Sequence, residues 1–140
     1  MNVNDEKCVI VVDEGMELGV IANVTAILSV SLGKLRPDIS GEDTPDAENH
    51  THPGLIQVPV PVLKASAEKV AEIRNRLFGE DFTDVSCIDF TNVAQECMTY
   101  ADYTDTMRHS TKDDLLYLGI AMVGNKKKVN KLTGSLGLLR

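Results

Sequence analysis

Three groups of side chains in this sequence have types and spacings that chemistry could use. Asp13, Glu14 and Glu17 bring three carboxylates to the start of a long apolar stretch. At a helix N-terminus they suit the dipole, yet they repel a phosphate that the free N–H groups would otherwise attract. His50-Thr51-His52 sets two imidazoles beside Asp46 and Glu48, ligand types that a divalent metal accepts. No third or fourth ligand is fixed by that spacing, so His50 and His52 are expected as solvated loop residues and no metal or cofactor is expected. Lys126, Lys127, Lys128 and Lys131 form a basic cluster that can hold phosphate, although three lysines in a row are more often a solvated helix face. Cys8, Cys87 and Cys97 make no Cys-x-x-Cys pair, and the first two fall in strand patterns; buried thiols are expected. No Gly-x-Ser-x-Gly, His-Glu-x-x-His, Walker or dinucleotide fingerprint is present.

These residues need elements to position them. Cys8 to Val12 are continuous, mostly β-branched apolar residues, the pattern of a strand covered on both faces, and Asp13-Glu14-Gly15 breaks the run. From Leu18 to Gly33 no residue is charged, and Val20, Ile21, Val24, Ile27, Leu28 and Leu32 recur at helical spacing; a helix so apolar must be covered on most of its surface. Pro37 ends it. Asp38 to Gly54 holds five acids and too little apolar area to fold alone, so a flexible acidic loop is expected at about 37–54, as a mobile flap or a cover for the helix. Leu55 to Pro61 reads as a second strand at a sheet edge, because Pro59 and Pro61 lack N–H groups on one side. Ser66 caps a second helix with Val70, Ile73, Leu77 and Phe78 inward and Lys69, Glu72, Arg74 and Arg76 solvated. Asp84 to Phe90 is a third strand, and Thr91 or Asn92 caps a third helix to about Tyr103, with Tyr100 and Tyr103 packed and their hydroxyls at the surface. Leu115 to Val123 is a central fourth strand beside the first, Asn125 caps a short helix, and the apolar end Ser135 to Arg140 packs back on the domain.

Strand and helix alternate four times, which predicts a layered α/β sheet in one domain over residues 1–140. A composition of 43% hydrophobic and 25% charged residues is that of a soluble globular domain. The longest uncharged run reads as too short and too rich in Ser, Thr, Asn and Gly to span a bilayer, and Met1 to Lys7 does not resemble a secretory signal, so a cytoplasmic protein without membrane contact is expected. The net charge is −7; Gly124 to Arg140 carries +5, which leaves −12 on the rest. Nucleic acid is not an expected partner of so acidic a chain.

Two ends of the chain carry a resemblance. Val11-Val12-Asp13-Glu14-Gly15-Met16-Glu17-Leu18-Gly19-Val20-Ile21-Ala22 resembles the opening of the type II peptidyl-tRNA hydrolases, a strand followed by Met-Gly-Lys-Gly-Lys-Ile/Val-Ala-Ala-Gln. Tyr117 to Gly124, followed by Val129-Asn130-Lys131-Leu132-Thr133-Gly134-Ser135-Leu136-Gly137-Leu138-Leu139, resembles that family's last strand, Gly-Pro turn and Val-Thr-Gly-x-Leu-Lys-Leu ending. The Gly-x-x-Ala-Asn helix, the His-x-Gly-Leu-Ile-Gln-Val-Pro-Val segment and the Lys-Leu-Thr-Gly-Ser-Leu ending are more similar still to a bacterial family of unknown function ("DUF two thousand") that shares the hydrolase fold.

The resemblance implies a three-layer α/β/α domain on a four-stranded mixed sheet, type II peptidyl-tRNA hydrolase-like, and usually a homodimer. It does not imply the reaction. Aligned on Met16 and Gly19, the hydrolase lysines fall at Leu18 and Val20, its Gln at Val24 and its His at Ile27. Asp89, and more loosely Thr91, match its Asp-Ala-Gly-x-Thr stretch and are the catalytic candidates. The expected function is a non-hydrolytic binding domain for a small molecule or protein, with Asp13, Glu17, Asn23, Asp89 and His52 lining a site suited to a cationic group. The alternative is a peptidyl-tRNA hydrolase with a rearranged site, served by the lysines of the C-terminal end. The uncharged helix by itself also predicts a dimer if two layers and one loop cannot cover it.

Overall fold

Alternation along the first strand decides the layers. In the computed structural model, which describes residues 5–140, β1 (Glu6–Asp13) sends Val9 and Val11 to one face of the sheet and Cys8, Ile10 and Val12 to the other, all buried. The expectation of no signal segment rests in part on residues 1–4, which lie outside the described residues. On the Val9 face pack α2 (Ala67–Leu77) and α5 (Lys126–Thr133) through Val70, Ile73, Leu77, Val129 and Leu132. On the Cys8 face packs α1 (Leu18–Leu35) through Ile21, Val24, Leu28 and Leu32. The strand between two helical layers is why its sequence is apolar throughout.

Four strands build the sheet in the order β4-β1-β6-β5, with β4 (Val62–Ala65) parallel to β1, and with β6 (Tyr117–Asn125) antiparallel to both β1 and β5 (Ser86–Thr91). Gly119 on β6 faces α1, and a Cβ there would stand 3.0 Å from both Val24 and Leu28. The helix therefore lies tight on the sheet. The C-terminal segment returns to the outer side of β4, where Lys64 N–H donates to Gly137 O and Leu139 N–H donates to Val62 O, as an apolar tail must.

Several expectations change. Leu55 to Pro61 is not a strand: apart from one bridge between Ser40 and Ile56, the ladder starts at Val62, because Pro59 and Pro61 cannot donate. The expected third helix is two, α3 (Asn92–Glu96) and α4 (Tyr100–Arg108), since Cys97 is extended and the Thr99 hydroxyl caps the second by accepting from Asp102 N–H. The last strand starts and ends two residues later than the apolar run. Phe78 stands exposed under the Arg74 guanidinium, whose carbon is 3.7 Å from the ring centre. The acidic segment contains a hairpin, β2 (Thr44–Pro45) and β3 (Thr51–His52), whose base is joined where Gly54 meets the Gly41 carbonyl too closely for any Cβ. Asp46 ties its turn by accepting from the N–H groups of Glu48 and His50.

The expectation that no stretch is long enough to cross a bilayer also changes. By length and composition, with a mean hydropathy of 1.7 over 18 residues, α1 qualifies as such a span. In the fold its buried row lies against the sheet, while the outer row, including Leu18 and Val30, is open to solvent. The loop does not cover it.

Candidate functional site

The residues singled out in the sequence do not converge on one corner. Asp13, last in β1, accepts from Gly15 N–H at 2.9 Å and so closes the turn to the helix. Glu17 is the residue before the first turn of α1 rather than within it; its carboxylate makes no cap hydrogen bond and is exposed. His52 lies on the remote hairpin, 2.8 Å from Asp46 through Nε2, and His50 approaches the same carboxylate at 3.7 Å. The imidazole of His52 holds the Asp46 carboxyl below the usual carboxylate range, aided by the two backbone donors. This is a hairpin clasp, and no group of three or more His, Cys, Asp or Glu side chains able to hold a metal occurs among the described residues.

Asp89 and Asn23 line two adjoining cavities. Asn23 lines a cavity of about 370 Å³ with Gly19, Val20, Ile27, Phe90 and Ala94. Asp89 lines a second cavity of about 700 Å³, which shares Ile27, Phe90 and Ala94 with the first. Together they form one groove along the free edge of β5, walled by α1 on one side and by the α3–α4 corner on the other. The main chamber is apolar and aromatic: Ile27, Leu35, Ile88, Phe90, Met98, Tyr100 and Tyr103. Tyr100 and Tyr103 meet edge to face with centroids 5.4 Å apart, as the spacing of three on one helix allows.

Its polar groups are few and placed by the fold. Arg74 on α2, expected in solvent, donates through Nε to Asp89 Oδ2 at 2.6 Å, and both side chains are largely buried. Asp89 stands opposite Ile120, so its carboxylate leaves edge strand β5 on the α2 face and borders the groove with its charge offset by Arg74, which favours a hydrogen-bond donor over a bare cation there. Burial, then the Asp89 charge, pushes the hydroxyls of Tyr103 and Tyr117 above their ordinary pKa, so both stay protonated donors. Thr91 is fully buried; its oxygen accepts from Ala94 N–H to cap α3, and its hydroxyl donates to Met107 Sδ. Cys87 borders this region and Cys8 lies in the core, and burial raises each thiol to about 11, which makes them poor nucleophiles.

The basic residues lie elsewhere. Glu6 pairs with Asn125, so α5 starts at the end of the sheet opposite Asp13, where Lys128 donates to Asp84 at 2.7 Å and Lys7 donates to Asn130 at 2.6 Å. They do not rebuild a cationic pocket at the acidic turn. Sequence reading missed the walls of the groove, because Met98, Leu35 and Ile27 look like ordinary helix residues until the kink at Cys97 turns α4 toward α1. The aromatic pair was the available signal.

Among known proteins, a family model described as a protein of unknown function (DUF2000) matches residues 6–140. A solved structure of a protein of unknown function, Atu0240 from Agrobacterium tumefaciens strain C58, is similar at 21% identity with a TM-score of 0.84, covering 96% of this chain and 97% of that one. No curated protein matches the chain.

Proposed function

The chain belongs to the DUF2000 family of proteins of unknown function, and from that premise we propose that it is a non-hydrolytic binding domain for a small molecule held in the groove between α1 and the α3–α4 corner. The ligand has an apolar or aromatic body and a hydrogen-bond donor directed at Asp89. The observation that carries this reading is the groove itself: about 700 Å³ of mostly apolar wall with one offset carboxylate is the size and composition of a small-molecule site, which spans roughly 300–1,000 Å³. The sheet order and the chain order of the elements support a type II peptidyl-tRNA hydrolase-like fold, and three unpaired cysteines suit a reducing, cytoplasmic setting.

Hydrolysis is disfavoured by what the matched residues are doing. Asp89 is held by Arg74, Thr91 is engaged in a helix cap, and the lysines lie at the other end of the sheet. Amide NMR titration of the purified protein with a panel of aromatic amines and phenols tests the proposal. Shifts concentrated at Ile27, Phe90, Met98 and Tyr100, and lost in Ile27→Trp, are expected; an undisturbed groove across the panel would overturn it. In a peptidyl-tRNA cleavage assay no free tRNA is expected, and release abolished by Asp89→Ala would establish the hydrolase instead.

A further inference from the structure

We propose a second binding site, where β1 parts from β4, whose ligand is a small N-acylated amino acid with a free carboxylate, held by the main chain of Cys8. β4 pairs with β1 only from Val62 onward, opposite Ile10; residues 57–61 turn aside, where Gln57 N–H donates to Ile39 O and Val58 joins the α1 face of the core. Among the described residues no strand covers the first half of β1 on that side. Between it and the departing segment lies a cavity of about 360 Å³, with Cys8, Pro59 and Pro61 in its wall and Lys7 and Lys126 beside them.

The strand register fixes what Cys8 offers to this space. Ile10 turns its N–H toward β4 and donates to Pro61 O at 3.0 Å, so Cys8, two residues earlier, turns its own N–H and C=O the same way. A parallel ladder continued by one step would join the Cys8 C=O to the N–H of residue 61 and the Cys8 N–H to the carbonyl of Pro59. Residue 61 is a proline without an N–H, and neither Cys8 group has a hydrogen-bond partner among the described residues. Yet Cys8 is only 1% exposed, and its thiol lies in the core under α1. A buried donor and acceptor left open on one residue require a partner that carries both.

The N–H and C=O of a single amino-acid residue meet such a pair as an antiparallel strand residue does. With a free carboxylate, the oxygen that accepts from Cys8 N–H is charged, and the second oxygen is left for the lysines. Lys126 has no ion partner among the described residues, and the nearby Glu6 charge is taken up by Arg36 at 2.7 Å, so the rim favours an anion. A bare carboxylate such as acetate would satisfy the lysines but has no N–H for the Cys8 carbonyl. The prolines give the acyl group or side chain an apolar wall. The volume, about 360 Å³, is at the small end of the roughly 300–1,000 Å³ of small-molecule sites, which suits one acylated residue rather than a longer strand. This cavity shares no residue with the groove between α1 and the α3–α4 corner, and neither proposal depends on the other.

Amide NMR titration of the full chain with N-acetyl-L-leucine, up to about 10 mM, tests it. Saturable shifts at Cys8, Gln57, Val60 and Lys126 are expected. Binding should weaken about tenfold or more for N-acetyl-N-methyl-L-leucine, which lacks the N–H, and for N-acetyl-L-leucinamide, which lacks the charge. Lys126→Glu, a surface change, is expected to weaken it to a similar degree, and Pro61→Ala, which supplies the missing donor to Cys8, to abolish it with the amide spectrum otherwise retained. Undisturbed amides at those four residues overturn the proposal, as do equal binding of the N-methyl compound and undiminished binding by either variant. Shifts confined to Phe90, Met98 and Tyr100 would assign the compound to the groove and overturn it as well.

Discussion

Arg36 is the residue on which two ends of the structure meet. It closes α1 and donates Nη1 and Nη2 to the two oxygens of Glu6 at 2.9 and 2.7 Å, while Nε and Nη2 reach Asp38 at 2.8 and 2.6 Å. Glu6 is 4% exposed. Removing one partner of a buried ion pair leaves the other charge poorly compensated, so Glu6→Gln is expected to cost about 3 kcal/mol in urea unfolding, the low end of such changes because Asp38 remains. Asp38 is held below the usual carboxylate range by hydrogen bonding to Arg36. Its stabilising contribution is therefore present above the ordinary carboxylate pKa and disappears as the pH falls through the depressed native value. Asp38→Asn should flatten that acid limb and leave the two proteins alike in strong acid. Within α1, the Thr25 hydroxyl is buried with no hydrogen-bond partner. Thr25→Val, which keeps the shape, is expected to raise the melting temperature by the equivalent of about 1 kcal/mol. The caps at Ser66, Thr91 and Asn125 were legible because a cap is a local event. The pairs Arg36–Glu6 and Arg74–Asp89 were not, since they join residues 30 and 15 positions apart that no period connects.

At the scale of elements, what the sequence made legible was the material that repeats. A run of β-branched residues had to be the inner strand, and an i, i+3, i+4 row had to be a helix. Where two rules competed, the reading slipped. Pro59 and Pro61 sit in an apolar alternation that looks like a strand, but the missing donors keep this stretch out of the ladder. The Cys97–Thr99 break was hidden because its residues are neither Gly nor Pro, and it shapes the groove by setting α4 against α1. The packing of α1 onto β6 depends on the absent side chain at Gly119. Gly119→Val should lift the helix, costing about 1–3 kcal/mol in chemical denaturation, and should shift amide resonances at Val24 and Leu28 more than those of α2.

For the molecule as a whole, the sites of chemistry were less legible than the fold because the sequence marks charges and the groove is made of apolar side chains. Asp89 and Asn23 were named, yet for a cation-binding corner that also needed Asp13, Glu17 and His52, and these lie apart. The acidic hairpin adds only its flanks, Ile39 and Val58, to the core. Replacing residues 42–53 with a short Gly/Ser linker is therefore expected to leave unfolding cooperative, with a melting temperature lowered by a few degrees, on the order of 1 kcal/mol; loss of the cooperative transition would show that the hairpin belongs to the folding unit.

The two margins of the sheet are finished differently. Beyond β4 the returning tail has taken up hydrogen bonds through Gly137 and Leu139, whereas among the described residues no strand follows β5. Fibre growth by strand addition consumes two open margins per molecule, one at each neighbour. A chain with a single such margin can join one other and then stops, so this protein carries its own terminator against polymerisation, and trimming those last residues would remove it.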